Sequence, residues 1–267
     1  MPVYTDQTGR SITISDCPKR IISVVPSQTE LLFDLGLNDE VIGITRFCVH
    51  PTEWFNSKQR VGGTKTLNMD MIRRLHPDLI LANKEENTKE QIELLSLEVP
   101  VWVSDIENLP DALQMIKDTG QITCRISESN KLISNIETSF NSLNSSNNNV
   151  LLKSVCYLIW NDPFMTVGSD TFIHDMLKRL GYKNVFAHTT RYPIITYNDL
   201  QQQNPDLIFL SSEPYPFKEK HIAELQAVCP NAKVILVDGE YFSWYGSRLL
   251  AAIPYFTDLI SREKNPG

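Results

Sequence analysis

The sequence predicts an α/β protein made of two similar parallel-sheet lobes joined by one long, rigid helix. Three observations predict it. Short β-branched runs alternate with amphipathic segments along the chain, the order that produces a parallel sheet with helices on both faces. One phrase occurs twice: Arg73 to Asn87 reads RRLHPDLILANKEEN, and Gln201 to Tyr215 reads QQQNPDLIFLSSEPY. Between the copies, Ile122, Ile126, Ile133, Ile136, Phe140 and Leu143 fall at steps of three, four and seven, one face of a helix without a proline inside it.

Taken in order, Ile21 to Val25 is a β-branched run closed by Pro26-Ser27, which reads as a buried parallel strand. Leu31, Leu32 and Leu35 then mark a short helix that Gly36 stops. Val41 to Ile44 is the next strand, and Asn68 caps a helix holding Met69, Ile72 and Leu75 that Pro77 ends. Leu79 to Leu81 is a strand, Gln91 to Leu97 a helix, and Val99 to Val103 a strand. The second half repeats the order, with strands at 155–160, 184–186, 207–210 and 234–237, a helix from Thr171 to Leu180 and one from about Asn198 that ends before Pro205. The expected domains are a first lobe over 1–118, a connecting helix over 119–145 and a second lobe over 146–267, with Ser145 to Asn149 as a polar turn. A packed helix between lobes restricts opening more than a loop hinge does.

Composition excludes several classes. A hydrophobic fraction of 42% within 267 residues supports real cores. A net charge of −7, with no Lys/Arg cluster, argues against nucleic-acid binding. No apolar run approaches the roughly 20 residues of a membrane span. The start MPVYTDQTGRSITI has no basic head and apolar stretch, which leaves a cytosolic chain or one whose leader is not included. Cys17, Cys48, Cys124, Cys156 and Cys229 are odd in number and lack C-x-x-C spacing, so free thiols and a reducing compartment are the expectation. No G-x-S-x-G elbow, G-x-G-x-x-G fingerprint or phosphate loop is present, so no catalytic site is expected.

The segments RIISVVPSQTELLFDLGL, VGGTKTLNMDMIRRLHPDLILAN, RYPIITYNDLQQQNPDLIFL and VDGEYFSWYGSRLL, with the central helix, carry a resemblance. Together they resemble the helical-backbone metal receptors, the class III substrate-binding proteins of ABC importers for vitamin B12, haem and ferric siderophores. The resemblance runs from about Val3 to Leu259 and is strongest to the vitamin B12-binding and iron-chelate-binding branches. It implies a monomeric receptor, periplasmic or at the cell surface, that binds a small-molecule metal chelate (a cobalt corrinoid, haem or a ferric chelate) in a cleft between the lobes and delivers it to an ABC-transporter permease. It implies no catalysis, no intrinsic cofactor and no membrane insertion. A cytosolic metal or cofactor handler, or an enzyme, on the same scaffold is the alternative.

The resemblance also assigns residues. Phe47, Trp160, Phe164 and Tyr192 fall where ring-bearing loops stack on a flat ligand, and Glu240 falls on a carboxylate position. Thr64 and Asn83 replace two tryptophans of the corrinoid binder, trading stacking surface for polar groups. Asp70 matches a carboxylate that meets a permease arginine; its second-lobe counterpart falls on Asn198, beside Asp199.

The residues themselves add further candidates. Lys84, Glu85 and Glu86 follow a strand, where loops meet ligands, and one of the two acids should face the ligand. Trp160 and Phe164 flank an Asn-Asp-Pro turn, which exposes rings as a binding lip. Cys48 and His50, two apart on an extended segment, point the same way and either ligate a transition metal or line the mouth. Trp244 either contacts ligand or packs the start of the last helix, and Arg248 either serves the ligand or caps a loop. Asp78 and Asp206, repeated after proline, read as turn chemistry.

Overall fold

Parallel strands leave their carboxyl ends open to loops, the usual place for ligand contacts in such sheets. In the computed structural model, which describes residues 1–146 and 153–264, the chain opens with β1 (Val3–Thr5) and β2 (Ser11–Thr13), an antiparallel hairpin. There follow β3 (Ile21–Ser23), α1 (Pro26–Asp34), β4 (Val41–Ile44), α2 (Thr52–Ser57), β5 (Gln59–Arg60), α3 (Met69–Leu75), β6 (Leu79–Asn83), α4 (Lys89–Ser96), β7 (Val101–Ser104) and α5 (Leu109–Ile122). Helix α6 (Ile126–Ser146) leads to β8 (Ser154–Leu158), the hairpin β9 (Trp160–Asn161) and β10 (Phe164–Met165), α7 (Phe172–Arg179), β11 (Lys183–Asn184), α8 (Tyr197–Gln203) and β12 (Leu207–Ser211). Last come α9 (Glu219–Val228), β13 (Lys233–Val237), α10 (Gly239–Ser243) and α11 (Arg248–Lys264).

The chain divides into two compact units. Unit 1 holds a five-stranded parallel sheet in the order β5-β4-β3-β6-β7, and unit 2 a four-stranded parallel sheet in the order β11-β8-β12-β13. Helix α6 runs from unit 1 into unit 2, so two α/β lobes bridged by a long helix are what the chain forms. One face of the first sheet packs Ile22, Ile80 and Val101 against Ile72 of α3 and Leu95 of α4. Its counterpart packs Cys156, Leu158, Ile208 and Val234 against Leu200 of α8 and Leu225 of α9.

The repeated phrase has a shared structural cause. Helices α3 and α8 each run seven residues and stop on a left-handed residue, His76 (φ 45°) and Asn204 (φ 40°). A proline follows, which cannot continue a helix. The aspartate then ties down the start of the neighbouring strand. Asp78 accepts the N–H groups of Lys19 and Arg20, entering β3, at 2.8 and 2.9 Å. Asp206 accepts the N–H and hydroxyl of Ser154, which begins β8, both at 2.7 Å. Turn chemistry is the role both aspartates play.

The long helix is shorter at its start than its periodicity predicts. The apolar stripe from Ile122 continues across a break at Thr123–Arg125. Cys124 takes φ 58°, and the Arg125 N–H returns to the Gly120 carbonyl at 2.7 Å, a helix-ending geometry. Gly120 also lies where a Cβ would meet Ser129 Oγ at 2.1 Å, so the two helices close tightly there. The cysteine reading needs a correction as well: Cys17 and Cys124 form a disulfide, while Cys48, Cys156 and Cys229 are free and buried. A sequence separation of 107 hid the pairing. The expected polar turn lies outside the described residues from Asn147 onward.

Candidate functional site

In unit 1 the strand ends rest on a buried polar layer. Ser104 Oγ accepts from Gln28 Nε2 at 2.5 Å and Asn83 Nδ2 at 2.9 Å, and donates to the Ala82 carbonyl. Asn83 Oδ1 in turn accepts the N–H groups of Glu85 and Glu86. Asn87 Oδ1 takes the Asn83 N–H, and its Nδ2 reaches the carbonyls of Val24 and Thr64. Asn83 and Asn87 are therefore buried bookends of a loop that turns Lys84 and Glu86 outward and leaves Glu85 half-buried. Lys84 pairs with Asp105, and Thr64 is buried with its backbone engaged.

Phe47, beyond β4, is 49% exposed. The Arg46 guanidinium lies 5.0 Å from its ring centroid, and Gly63 supports both, since a Cβ there would meet Phe47 Cε2 at 3.1 Å and Arg46 Nε at 3.3 Å. Cys48 turns inward. Its sulfur lies 3.1 Å from both the Thr29 and Thr45 hydroxyls, and burial holds the thiol above the ordinary cysteine range despite them. His50 is half-buried beside Pro51. The structure therefore does not present the two side chains together: a sealed thiol is no accessible ligand. Among the described residues no group of three or more His, Cys, Asp or Glu side chains could hold a metal.

In unit 2 the chain leaves β8 through the β9–β10 hairpin. Trp160 is 39% exposed, its indole N–H donates to the Asp162 carbonyl at 3.1 Å, and its ring meets Tyr215 at 5.7 Å. Phe164 is half-buried, with its ring 5.2 Å from Tyr197. Tyr192 is half-buried, with Arg191 at 5.7 Å from its centroid, and Arg191 takes φ 57°. Glu240 is half-buried in the first turn of α10, which Asp238 caps. Trp244 is buried and donates its N–H to Glu213 Oε1 at 2.8 Å, an oxygen that also accepts from Ser243 at 2.7 Å. Arg248 makes two bonds to the Glu30 carboxylate, at 2.8 and 2.7 Å, within unit 1.

Four residues at these edges escaped the sequence reading: Arg46, Arg191, Glu213 and Tyr215. A signal existed for Tyr215, a tyrosine set between two prolines directly after a strand. The arginines follow β4 and β11, corresponding strands of the two units, each immediately before a ring. That correspondence is visible only once the sheet order is known.

On the helices, Asp70 is exposed at the second position of α3. The second position of α8 is Asn198. Asp199 instead closes a capping box, accepting the Thr196 N–H and hydroxyl at 2.8 and 2.7 Å, and these bonds hold its carboxyl below the usual range.

Loops at the carboxyl ends of two parallel sheets carry the rings and polar side chains described above. The chain belongs to the periplasmic binding protein family, whose profile matches residues 21–228. It is an ABC-transporter substrate-binding protein, and the family binds and delivers rather than catalyses. It is 25% identical over 269 aligned residues to the uncharacterized ABC transporter substrate-binding lipoprotein YvrC of Bacillus subtilis, covering 96% of this chain and 84% of that one. Against the vitamin B12-binding protein of Vibrio parahaemolyticus the identity is 25% over 204 residues, covering 75% and 74%. The crystal structure of the periplasmic vitamin B12-binding protein BtuF of Vibrio cholerae superposes with a TM-score of 0.80 at 22% identity, covering 94% of this chain and all of that one, which establishes the fold. Among the described residues no helix is long and apolar enough to cross a membrane.

Proposed function

We propose that the protein captures a corrinoid or metal chelate with a flat, partly apolar face and delivers it to the permease of an ABC importer. The observation that carries this is the exposure of Phe47 and Trp160 on strand-end loops, where an unliganded ring costs free energy in water. Phe164 and Tyr192 add half-buried rings in unit 2, where Glu240 supplies a carboxylate, and Lys84 and Glu85 supply polar groups in unit 1. Arg46 and Arg191, each stacked beside a ring, favour a chelate bearing anionic groups over a neutral corrinoid. Asp70 offers the permease an exposed carboxylate; Asn198 stands at the matching position of α8 while Asp199 is committed to its cap. The Cys17–Cys124 bridge supports an oxidising location and weighs against the cytosolic alternative.

Calorimetric titration with cyanocobalamin, hemin and a ferric tris-catecholate tests this reading. Saturable binding at micromolar affinity or tighter, about −8 kcal/mol, is expected for at least one. Replacing both Trp160 and Tyr192 by alanine should weaken it tenfold or more, roughly 1.4 kcal/mol. Unchanged affinity in that folded double variant would remove these rings from the site.

A further inference from the structure

The hairpin that presents Trp160 is short. Strands β9 and β10 have two residues each, and an isolated hairpin is marginal in water even when longer. Within this hairpin the Asp162 carbonyl takes the indole N–H, and a ring contact to Trp160 comes from outside. Tyr215 contacts it from the loop after β12, with the two ring centroids 5.7 Å apart, and the Tyr215 N–H donates to the Ile159 carbonyl at the root of the hairpin. Pro214 and Pro216 flank Tyr215 and restrict its backbone.

Behind Tyr215 stands a second layer. Its ring packs on Phe217 at 4.9 Å and on His221 at 5.6 Å, both of them buried. His221 Nδ1 accepts the Lys218 N–H at 2.9 Å in the cap of α9, leaving Nε2 as the donor to Tyr215 Oη at 3.3 Å. An unbroken line of contacts thus runs from the α9 cap through His221 and Tyr215 to Trp160.

We infer that Tyr215, backed by His221, is a positioning residue that sets the Trp160 ring for ligand. This inference rests on the proposed receptor function for its consequence, though not for its geometry. Ligand affinity then depends on a residue behind the contact surface, and Tyr215→Ala acts through Trp160 alone.

Trp54, Trp102 and Trp244 are buried, so quenching of the ligand-free protein by acrylamide reports chiefly on Trp160. With far-UV circular dichroism unchanged, Tyr215→Ala should raise the quenching constant about twofold, whereas Tyr215→Phe, which keeps the ring pair, should leave it near the wild-type value. Tyr215→Leu supplies the same test if the alanine variant does not fold. An unchanged quenching constant in the alanine or leucine variant overturns the inference, whatever the protein binds. Hemin titration then reads the consequence. Trp160→Ala and Tyr215→Ala should each weaken binding about tenfold and the double variant no more than Trp160→Ala alone. Multiplying losses would make Tyr215 an independent contact and overturn the positioning role. If wild type binds neither hemin nor cyanocobalamin, the receptor reading fails for those ligands while the quenching result still decides the positioning.

Discussion

Asp206 shows how one carboxylate can hold two elements in place. It accepts both the N–H and the hydroxyl of Ser154 and returns its own N–H to Ser154 Oγ at 2.9 Å, so a helix exit and a strand entry are locked in one ring of bonds. Those bonds, the backbone one first, hold its carboxyl below the usual range. Asp199, in its capping box, is lowered by the same kind of bonding. A carboxyl lowered in the folded state binds its proton more readily in the unfolded chain. The stabilisation is therefore complete above the unfolded value, near pH 4, and is lost as pH falls through the folded one. Asp206→Asn should cost about 1 kcal/mol at pH 7 and flatten the loss of stability as pH falls below about 4, measured by urea denaturation. An acid profile parallel to wild type would show that the Ser154 bonds carry no linkage. Asn83 teaches a different lesson at this scale: its polar side chain occupies an expected ligand position, yet its described bonds go to Ser104 at the end of β7 and to the Glu85 and Glu86 N–H groups of its own loop.

Among the elements, the α5–α6 junction is held by three devices at once. Cys124 leaves the helix in a left-handed conformation, Gly120 admits Ser129, and the disulfide fastens the turn to the segment before β3. Glu40 reaches the same place. Burial pushes its carboxyl up, but the N–H groups of Asn38 and Glu40 and the charges of Arg125 and Lys19 outweigh this and leave it lowered. Closing a loop of 107 residues removes unfolded-chain entropy worth up to about 5 kcal/mol, with about 2–4 kcal/mol usual for natural bridges. Replacing Cys17 and Cys124 together by serine should lower stability by that usual amount in chemical denaturation, and dithiothreitol should do the same to wild type only. Equal stability of the variant and the oxidised wild type would mean the junction is held by its helix caps and ion pairs alone.

For the whole molecule, the bridge links structure to location. Thiol trapping with a charged-mass alkylating reagent before cell lysis should find Cys17 and Cys124 oxidised and protected, with the protein recovered in the envelope fraction. Recovery in the cytosolic fraction with both thiols reduced would return weight to an intracellular role. The three free cysteines should stay silent to an aqueous thiol reagent until the protein is denatured, since all are buried and burial lifts Cys156 to about 12.

The candidate ring positions came from the family resemblance; the order of strands and helices and the two-lobe repeat were legible in the sequence by itself. Each depends on local spacing: β-branched runs for strands, steps of three and four for helices, and Pro-Asp for the turn that joins them. The charge balance likewise argued against a nucleic-acid binder. Only the tertiary structure decided which cysteines pair, where the long helix starts, that Cys48 and Asn83 face inward, that Asp199 is absorbed by a cap, and that Tyr215 packs against Trp160. These are contacts between residues far apart in sequence or choices of side-chain direction. Neither leaves a periodic trace, because burial and hydrogen bonding at such positions are set by the neighbours that folding brings in.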